Sequence, residues 1–491
     1  MKILIATSEV GPYSKTGGLA DMVGALGKYL AQEDHEVVVV SPYYRCVAEA
    51  FPEVELLDWD IHVPLGHTWV HGRVRRLQVT EKLQYLFIQE PSFFDRHGLY
   101  QVDGEVFRDN AERFIFFSKA VVHLARYLPF KPDVIHAHDW QTGLVPLLVK
   151  HQSVFEGWDN RPATVFTIHN LAYQGTFPTA FYANTNLPED YLSPSGLEFF
   201  GDFNCLKSGI VYADFLTTVS PKYAAEILTE AYGCGLQGVL AERSSVLAGV
   251  LNGVDYEEWN TENNPRLMTT YSVGNLRGKG TIKASLQKEL GLTVKASTPL
   301  FGNISRLTDQ KGSDLILEAI PQALAQGAQF VLLGSGDPEL EAGFQSLAEA
   351  WPGAVAVRIG YDPDLAHRIE AGCDFFLMPS RFEPCGLNQL YSLRYGTVPV
   401  VRRTGGLDDT INDSRDMASQ EGDGLKFDEA TGPALAGAIK RALELFKSKK
   451  MLNACRRRGM EKDFSWKATS GQYHAVYQKA IKAVRGVDRV N

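Results

Sequence analysis

Ser380-Arg381-Phe382-Glu383-Pro384-Cys385-Gly386-Leu387-Asn388-Gln389-Leu390 follows the apolar run Asp374-Phe375-Phe376-Leu377-Met378-Pro379 and leads into a helical pattern that continues to Arg394-Tyr395. A short buried strand, a turn holding one carboxylate beside Pro384, and Gly386 at a helix start together make a place where backbone N–H groups meet an anion. Taken alone, the same residues are explained by Glu383 as a helix cap and Cys385 as a small buried hydrophobe. The rest of the chain decides between the two.

Outward from that turn, short Val/Ile/Leu/Phe runs alternate with longer amphipathic stretches, the pattern of parallel strands joined by crossover helices. In the first half the strand candidates are residues 2–7, 36–41, 133–137, 164–168 and 215–219, with helices at 19–32, 112–127 and 223–229. Residues 55–89 alternate as hairpins do, which predicts an antiparallel insertion. After Val250-Leu251-Asn252-Gly253-Val254-Asp255 a second series begins, with strands at 300–304, 329–333, 354–359, 375–378 and 398–401 and helices such as 313–325 and 339–350. The pattern predicts an α/β protein of two Rossmann-like, doubly wound domains, 1–250 and 251–465. The helical spacing of Trp466, Tyr473, Val476, Tyr477 and Ile481 predicts a last helix, about 466–491, that crosses back to brace the first domain.

The 491 residues, 45% hydrophobic and 22% charged, suffice for two cores. A net charge of −9 argues against nucleic acid and membrane surfaces as partners, because both call for a basic face. Six scattered cysteines with no Cys-x-x-Cys pair argue against a zinc site or a disulfide framework and for a reducing cytoplasm. Met1–Glu9 holds an apolar run too short for a signal peptide or a membrane span and reads as a first core strand.

Two glycine turns echo one another: Lys15-Thr16-Gly17-Gly18-Leu19-Ala20-Asp21 and Arg403-Thr404-Gly405-Gly406-Leu407-Asp408-Asp409. Gly-Gly lets backbone approach a phosphate without Cβ interference, and a following helix offers its positive end. The alternative is turn punctuation. In Ser305-Arg306-Leu307-Thr308-Asp309-Gln310-Lys311-Gly312, Arg306 ends a strand and Lys311 precedes a helix, so both face the C-terminal edge of the sheet, where open α/β sheets bind ligands. A forked Arg and a point-charge Lys suit a diphosphate leaving group; solvated surface charges are the plainer reading. His136-Ala137-His138-Asp139-Trp140 and Thr167-Ile168-His169-Asn170-Leu171-Ala172-Tyr173-Gln174-Gly175 also end strands. Asp139 and His169 can bond sugar hydroxyls, and Trp140 and Tyr173 offer flat faces. No third ligand follows His136 and His138 at metal spacing, and His136 reads as a buried residue satisfied by its neighbours.

These motifs, together with Leu251-Asn252-Gly253-Val254-Asp255 and Arg402-Arg403-Thr404-Gly405-Gly406-Leu407, resemble the bacterial glycogen synthases and plant starch synthases over residues 2 to about 477. The resemblance implies the GT-B architecture, in which two Rossmann-like domains face each other across a cleft. It also implies ADP-glucose as donor, ADP as product, an α-1,4-glucan or maltooligosaccharide as acceptor, retention of configuration, and no metal or other cofactor. The first domain takes the acceptor side and the second the donor side. Carried over by position, Lys15 with Gly17 and Gly18 meets the donor's phosphates and glucose, with Asp21 and Asn170 in the same binding set. Arg306 and Lys311 neutralise the diphosphate, and Glu383 lies against the donor glucose. The amides of Gly386 and Leu387 lie near the phosphates, Cys385, Thr404, Gly405 and Gly406 belong to the substrate-binding set, and Tyr361 stacks on adenine. Asp139 and His169 correspond to essential, glucose-binding residues, and Asn252 sits at the domain junction. Related retaining transferases carry a second Glu eight positions after the first; here that place is Tyr391. A transferase using another nucleotide sugar and a non-catalytic glucan-binding protein are the alternatives. Both sit poorly with the full charged set of Lys15, Arg306, Lys311 and Glu383. Tyr43, Tyr44, Trp59 and Trp69 are candidates for a surface glucan patch, with burial in the core the plainer reading.

Overall fold

The computed structural model describes residues 1–102, 104–414 and 421–486. The chain divides into two compact units, Met1–Gly253 with Trp466–Asn491, and Val254–Ser465.

The first unit is built on a nine-stranded sheet. Across it the strands run Leu247–Gly249, Phe215–Thr218, Ala163–Ile168, Val134–His138, Lys2–Ala6, Glu36–Pro42, Leu83–Gln89, Thr68–Thr80 and Glu55–Leu65. The pairs are parallel as far as Leu83–Gln89 and antiparallel beyond it. Residues 55–89 are thus hairpins, and Val37 pairing with Leu83 makes them a continuation of the main sheet. Val37, Val38, Val39 and Val40 are all buried, since a parallel strand covered on both faces has no polar side. Helix Gly18–Gln32 buries Leu19, Met22, Val23, Leu26 and Leu30, a stripe at spacings of three and four.

The helix Trp466–Arg485 packs here, burying Trp466, Tyr473, Val476, Tyr477 and Ala480. A Cβ on Gly253 would lie 2.7 Å from the Trp466 backbone, so only glycine lets the indole in. Tyr477 Oη lies 2.9 Å from His136 Nδ1, and Arg485 donates to Asp133 at 2.7 Å. Burying the two tyrosines, the tryptophan and the valine stabilises this docking by on the order of 10 kcal/mol before the entropy of ordering the helix.

The second unit holds a six-stranded, wholly parallel sheet in the order Val355–Ile359, Gln329–Gly334, Leu300–Ile304, Phe375–Met378, Val398–Arg402 and Leu425–Phe427. Alternate residues of each strand go to opposite cores. Phe301, Phe330, Leu332, Phe375 and Leu377 join one face, and Leu300, Val331, Leu333, Phe376 and Met378 the other. That is the period of two expected when helices cover both faces.

In each unit the strand order reverses about its first strand. Lys2–Ala6 lies between Val134–His138 and Glu36–Pro42, and Leu300–Ile304 lies between Gln329–Gly334 and Phe375–Met378. Loops leaving adjacent strands in opposite directions open a crevice at their C-terminal ends, where such sheets take ligands.

Candidate functional site

In the first unit the reversal point brings together Thr7-Ser8-Glu9 and His138-Asp139. Glu9 is 4% exposed and is not among the residues the sequence singles out. Its Oε2 accepts the N–H of Thr16 at 2.5 Å and of Gly17 at 3.3 Å, and its Oε1 accepts the Thr16 hydroxyl at 2.7 Å and the Tyr100 hydroxyl at 2.9 Å. One carboxylate therefore shapes the Lys15–Gly18 loop, and the Gly17 amide is already engaged. Among the described residues, nothing beyond its own chain neighbours lies within 4 Å of a Cβ built on Gly17. Lys15 Nζ sits 2.7 Å from Asp21 Oδ1, both about a third exposed.

Asp139 has φ +56° and ψ −178°, a region that costs a non-glycine residue on the order of 1–3 kcal/mol and persists where the surroundings enforce it. The enforcing contact is the His169 N–H, which donates to Asp139 Oδ1 at 2.7 Å. Although the residue keeps some exposure, burial of its carboxyl pushes the pKa up to about 7, against the lowering effect of the His169 and Asn170 amides. Burial pushes His136 and His169 down to about 3, and His138 well below its ordinary value. All three rings are neutral near pH 7. His138 Nδ1 lies 3.0 Å from His169 Nε2, so one ring donates to the other. His136 is wholly buried between Tyr477 and the Thr167 hydroxyl, 2.6 Å from its Nε2, a structural role.

Trp140 is held between Phe114 and Phe177, with ring centroids at 5.0 and 5.6 Å, whereas Tyr173 is half exposed. Asn170 turns its Oδ1 to the Ala172 N–H, and Asn252 is buried with no hydrogen bond to its Oδ1. Of the aromatic surface candidates, Tyr44 is buried, Tyr43 lies under Arg75, Trp59 is partly buried and Trp69 is exposed.

In the second unit, Glu383 is 5% exposed; its Oε2 accepts from Lys311 Nζ at 2.6 Å and from Ser380 Oγ at 2.9 Å. Lys311 precedes Gly312, whose φ of +66° and 2.4 Å approach of a built Cβ to the Pro379 carbonyl admit only glycine. Arg306 lies exposed just past Leu300–Ile304. Arg402, quoted in a sequence motif but given no role there, supports the turn by donating from Nε to the Ser380 carbonyl at 2.8 Å and from Nη2 to the Arg381 carbonyl. The helix after the turn begins at Asn388, two residues past Gly386, which itself has φ +71°. Cys385 is buried, and Leu387 packs beside Val254 and Leu390.

Thr404, Gly405 and Gly406 are buried, and the Gly406 N–H donates to the carbonyls of Glu383 and Pro384, each at 3.1 Å. A Cβ on Gly405 would lie 2.0 Å from the Glu383 carbonyl oxygen, and one on Gly406 2.1 Å from that of Cys385. This glycine pair lets two segments of chain meet; the Gly17 turn leaves open room. The two echoing motifs are therefore physically unlike. Tyr361 is 77% exposed, with a face free for stacking. Tyr391 stacks on Trp259 at 3.6 Å, and Trp259 on His367 at 3.9 Å, so the place of the second carboxylate belongs to an aromatic column. Among the described residues no group of three or more His, Cys, Asp or Glu is arranged to hold a metal, no helix is long and apolar enough to cross a membrane, and all six cysteines are free.

The starch synthase catalytic domain model matches residues 2–242, and the glycosyl transferases group 1 model matches residues 291–461. Together they define a glycosyltransferase of two parallel-sheet α/β domains. The chain is 46% identical to the glycogen synthase of Myxococcus xanthus, covering 98% of this chain and 100% of that protein, and 44% identical to that of Koribacter versatilis, covering 99% of each. The catalytic domain of starch synthase IV from Arabidopsis thaliana bound to ADP and acarbose superposes with a TM-score of 0.90 at 34% identity, over 98% of this chain and 99% of that one. Sucrose-phosphate synthase from Thermosynechococcus elongatus, at 17% identity and a TM-score of 0.61, shares the fold. The chain belongs to the glycogen and starch synthase family, and is a glucosyltransferase of the GT-B fold.

Proposed function

We propose that the protein transfers α-glucose from ADP-glucose to the 4-hydroxyl at the non-reducing end of an α-1,4-glucan, releasing ADP with retention of configuration. The observation that carries this reading is the Lys311–Glu383 pair, 2.6 Å apart, at the sheet edge where the strand order reverses. Asp139 and His169 stand at the equivalent edge of the first unit. The starch synthase IV domain that shares 34% identity binds ADP and acarbose, a nucleotide and a glucan mimic.

Lys311 and Arg306 neutralise the charge that grows on the diphosphate as the glycosidic bond breaks, and a donor of that kind contributes about two to three orders of magnitude to turnover. Lys15, in the first unit, is assigned to the donor's phosphates and glucose, and in the second unit the amides of Gly386 and Leu387 are assigned to the phosphates. The exposed ring of Tyr361 supports a role in stacking on adenine. Glu383, tied to Lys311 and Ser380, is suited to holding the glucose oriented and supporting its positive charge rather than to attacking it. The departing phosphate then takes the acceptor proton on the same face, which keeps the α configuration. With Arg306 and Lys311 to take up the diphosphate's charge, the reaction calls for no metal. Free cysteines fit a cytoplasmic location.

The test is incubation with ADP-glucose and maltotriose, following ADP release and chain growth, with UDP-glucose as competitor and EDTA as control. ADP release coupled to α-linked growth, unaffected by EDTA, is the expected result. No turnover, or a preference for UDP-glucose, refutes the assignment. A glucosyl adduct trapped on Glu383 would replace the same-face route by double displacement.

A further inference from the structure

Phe200 is 84% exposed, the most exposed large hydrophobic side chain among the described residues. It sits at the tip of the hairpin Glu198–Phe199 and Asp202–Asn204, where Phe199 pairs with Asp202 and only Phe200 and Gly201 form the loop. Their φ angles are +53° and +91°. A two-residue hairpin with both loop residues at positive φ normally takes Asn-Gly, because a bulky residue there costs roughly 1–2 kcal/mol. The chain accepts that cost to hold an aromatic ring out in water.

The ring is supported from below. Phe199 meets it edge-on, with centroids 4.7 Å apart at 76°, and Gly235 lies beneath both: a built Cβ there would be 3.0 Å from one ring and 3.4 Å from the other. The hairpin is also tied to the loop that follows His169. Asn204 Nδ2 donates to Gln174 Oε1 at 2.6 Å, Gln174 Nε2 to the Cys234 carbonyl at 2.9 Å, and Phe203 pairs with Phe177. Half-exposed Tyr173 belongs to the same cluster of loops. The hairpin, residues 198–204, carries Glu198 and Asp202 and neither Lys nor Arg. Glu198 Oε1 accepts the Gly201 N–H at 2.8 Å and so braces the loop; an apolar ring on a hairpin whose only charges are negative disfavours anions and suits a neutral, hydroxyl-rich ligand whose C–H faces stack on the ring.

We propose that the Phe199–Phe200 hairpin tip is a platform that holds α-1,4-glucan chains, apart from the reacting residues and continuous with the His169 loop. This rests on the family's glucan chemistry as read above. The experiment compares wild type with Phe200→Ala, Phe200→Trp and Phe200→Leu. Retardation in native gels containing glycogen is read without donor, and turnover is measured on maltotriose and on glycogen. Phe200→Ala and Phe200→Leu should weaken glycogen binding and raise the apparent KM for glycogen about three- to tenfold, the scale of one lost aromatic contact. Kinetics on maltotriose should hold, and Phe200→Trp should bind as wild type does. At 84% exposure the side chain bears little on folding, and an unchanged Tm confirms it. Unchanged glycogen retardation in Phe200→Ala overturns the platform. So does equal loss on maltotriose and glycogen, or a change from dimer to monomer in light scattering, which would make the tip a contact between copies of the chain. Because retardation is read without donor, a wild type that binds glycogen but is inert toward ADP-glucose would overturn the catalytic reading and leave the platform standing.

Discussion

Removing the Glu9 carboxylate should loosen the Lys15–Gly18 loop without unfolding the protein. Four donors converge on that carboxylate: the amides of Thr16 and Gly17 and the hydroxyls of Thr16 and Tyr100. In Glu9→Ala the hydroxyls turn to other partners, Tyr100 already lying 2.7 Å from Ser8 Oγ, and the two amides lose theirs. Orphaned donors cost about 1–3 kcal/mol each when buried, and less here because Thr16 is at the surface and water can reach it. With the donor contact proposed for this loop, a net loss of about 2 kcal/mol of loop order should lower kcat/KM for ADP-glucose roughly 30-fold. Glu9→Gln differs in kind. Its carbonyl can keep both amides, while its NH₂ donates to the two hydroxyl oxygens, so the loss is confined to charge assistance, about 1 kcal/mol or fivefold. The assay is steady-state kinetics with varied ADP-glucose, alongside thermal melts. A Glu9→Ala enzyme with wild-type kcat/KM would refute the loop-shaping role, and a Glu9→Gln enzyme as damaged as Glu9→Ala would show that the charge itself is needed.

On the proposed mechanism Lys311→Ala removes a transition-state charge, so kcat should fall about 100- to 1,000-fold; it also strands the buried Glu383 carboxylate, so stability should fall by about 3–5 kcal/mol, the scale for breaking one side of a buried pair. Kinetics and chemical denaturation read the two effects separately, and near-normal turnover would remove Lys311 from the mechanism. The two glycine turns should part company: Gly17→Ala folds with wild-type Tm and loses activity, while Gly406→Ala, whose Cβ lands 2.1 Å from the Cys385 carbonyl oxygen, loses stability outright. The reverse pattern would exchange their roles. His136 and His169, held near pKa 3, bind fewer protons folded than unfolded between about pH 3 and 6.5, so they favour folding above that window and withdraw support as pH falls through it. Asp139, raised to about 7, acts oppositely, its contribution being full below pH 4 and lost as pH rises through 7. Nuclear magnetic resonance titration should find no shift of the His136 and His169 rings between pH 5 and 8; a ring that titrates there contradicts the burial argument.

What the sequence made legible follows a physical divide. Strands such as Val37–Val40 and Phe375–Met378 announce themselves because burial on both faces leaves no polar position. The last helix shows in the spacing of Trp466, Tyr473 and Tyr477 because one stripe must be apolar. Lys311 and Glu383 were visible as residue types beside strand ends, but their 2.6 Å contact joins positions 72 apart and belongs to the folded sheet. Glu9 left no signal: a lone acid after a strand resembles a solvated one, and two of its partners lie at Thr16 and Tyr100, set by tertiary approach. The Gly405–Gly406 turn shares its letters with Gly17–Gly18, and only the distance to the Glu383 and Cys385 carbonyls separates chain packing from open room. The short strands Leu247–Gly249 and Leu425–Phe427 and the small sheet carrying Phe200 fall below the length at which periodicity speaks.

The return of Trp466–Arg485 to the first unit sets an order on biosynthesis. Gly253 must wait for its tryptophan, and His136 for its tyrosine, until all of Val254–Ser465 has left the ribosome, a delay of about 10–40 s at ordinary elongation rates. During that interval the nascent first unit shows water an unfinished seam while the second unit, continuous in the chain, is free to fold. A stop codon near the end of the gene would therefore injure the part of the protein made first.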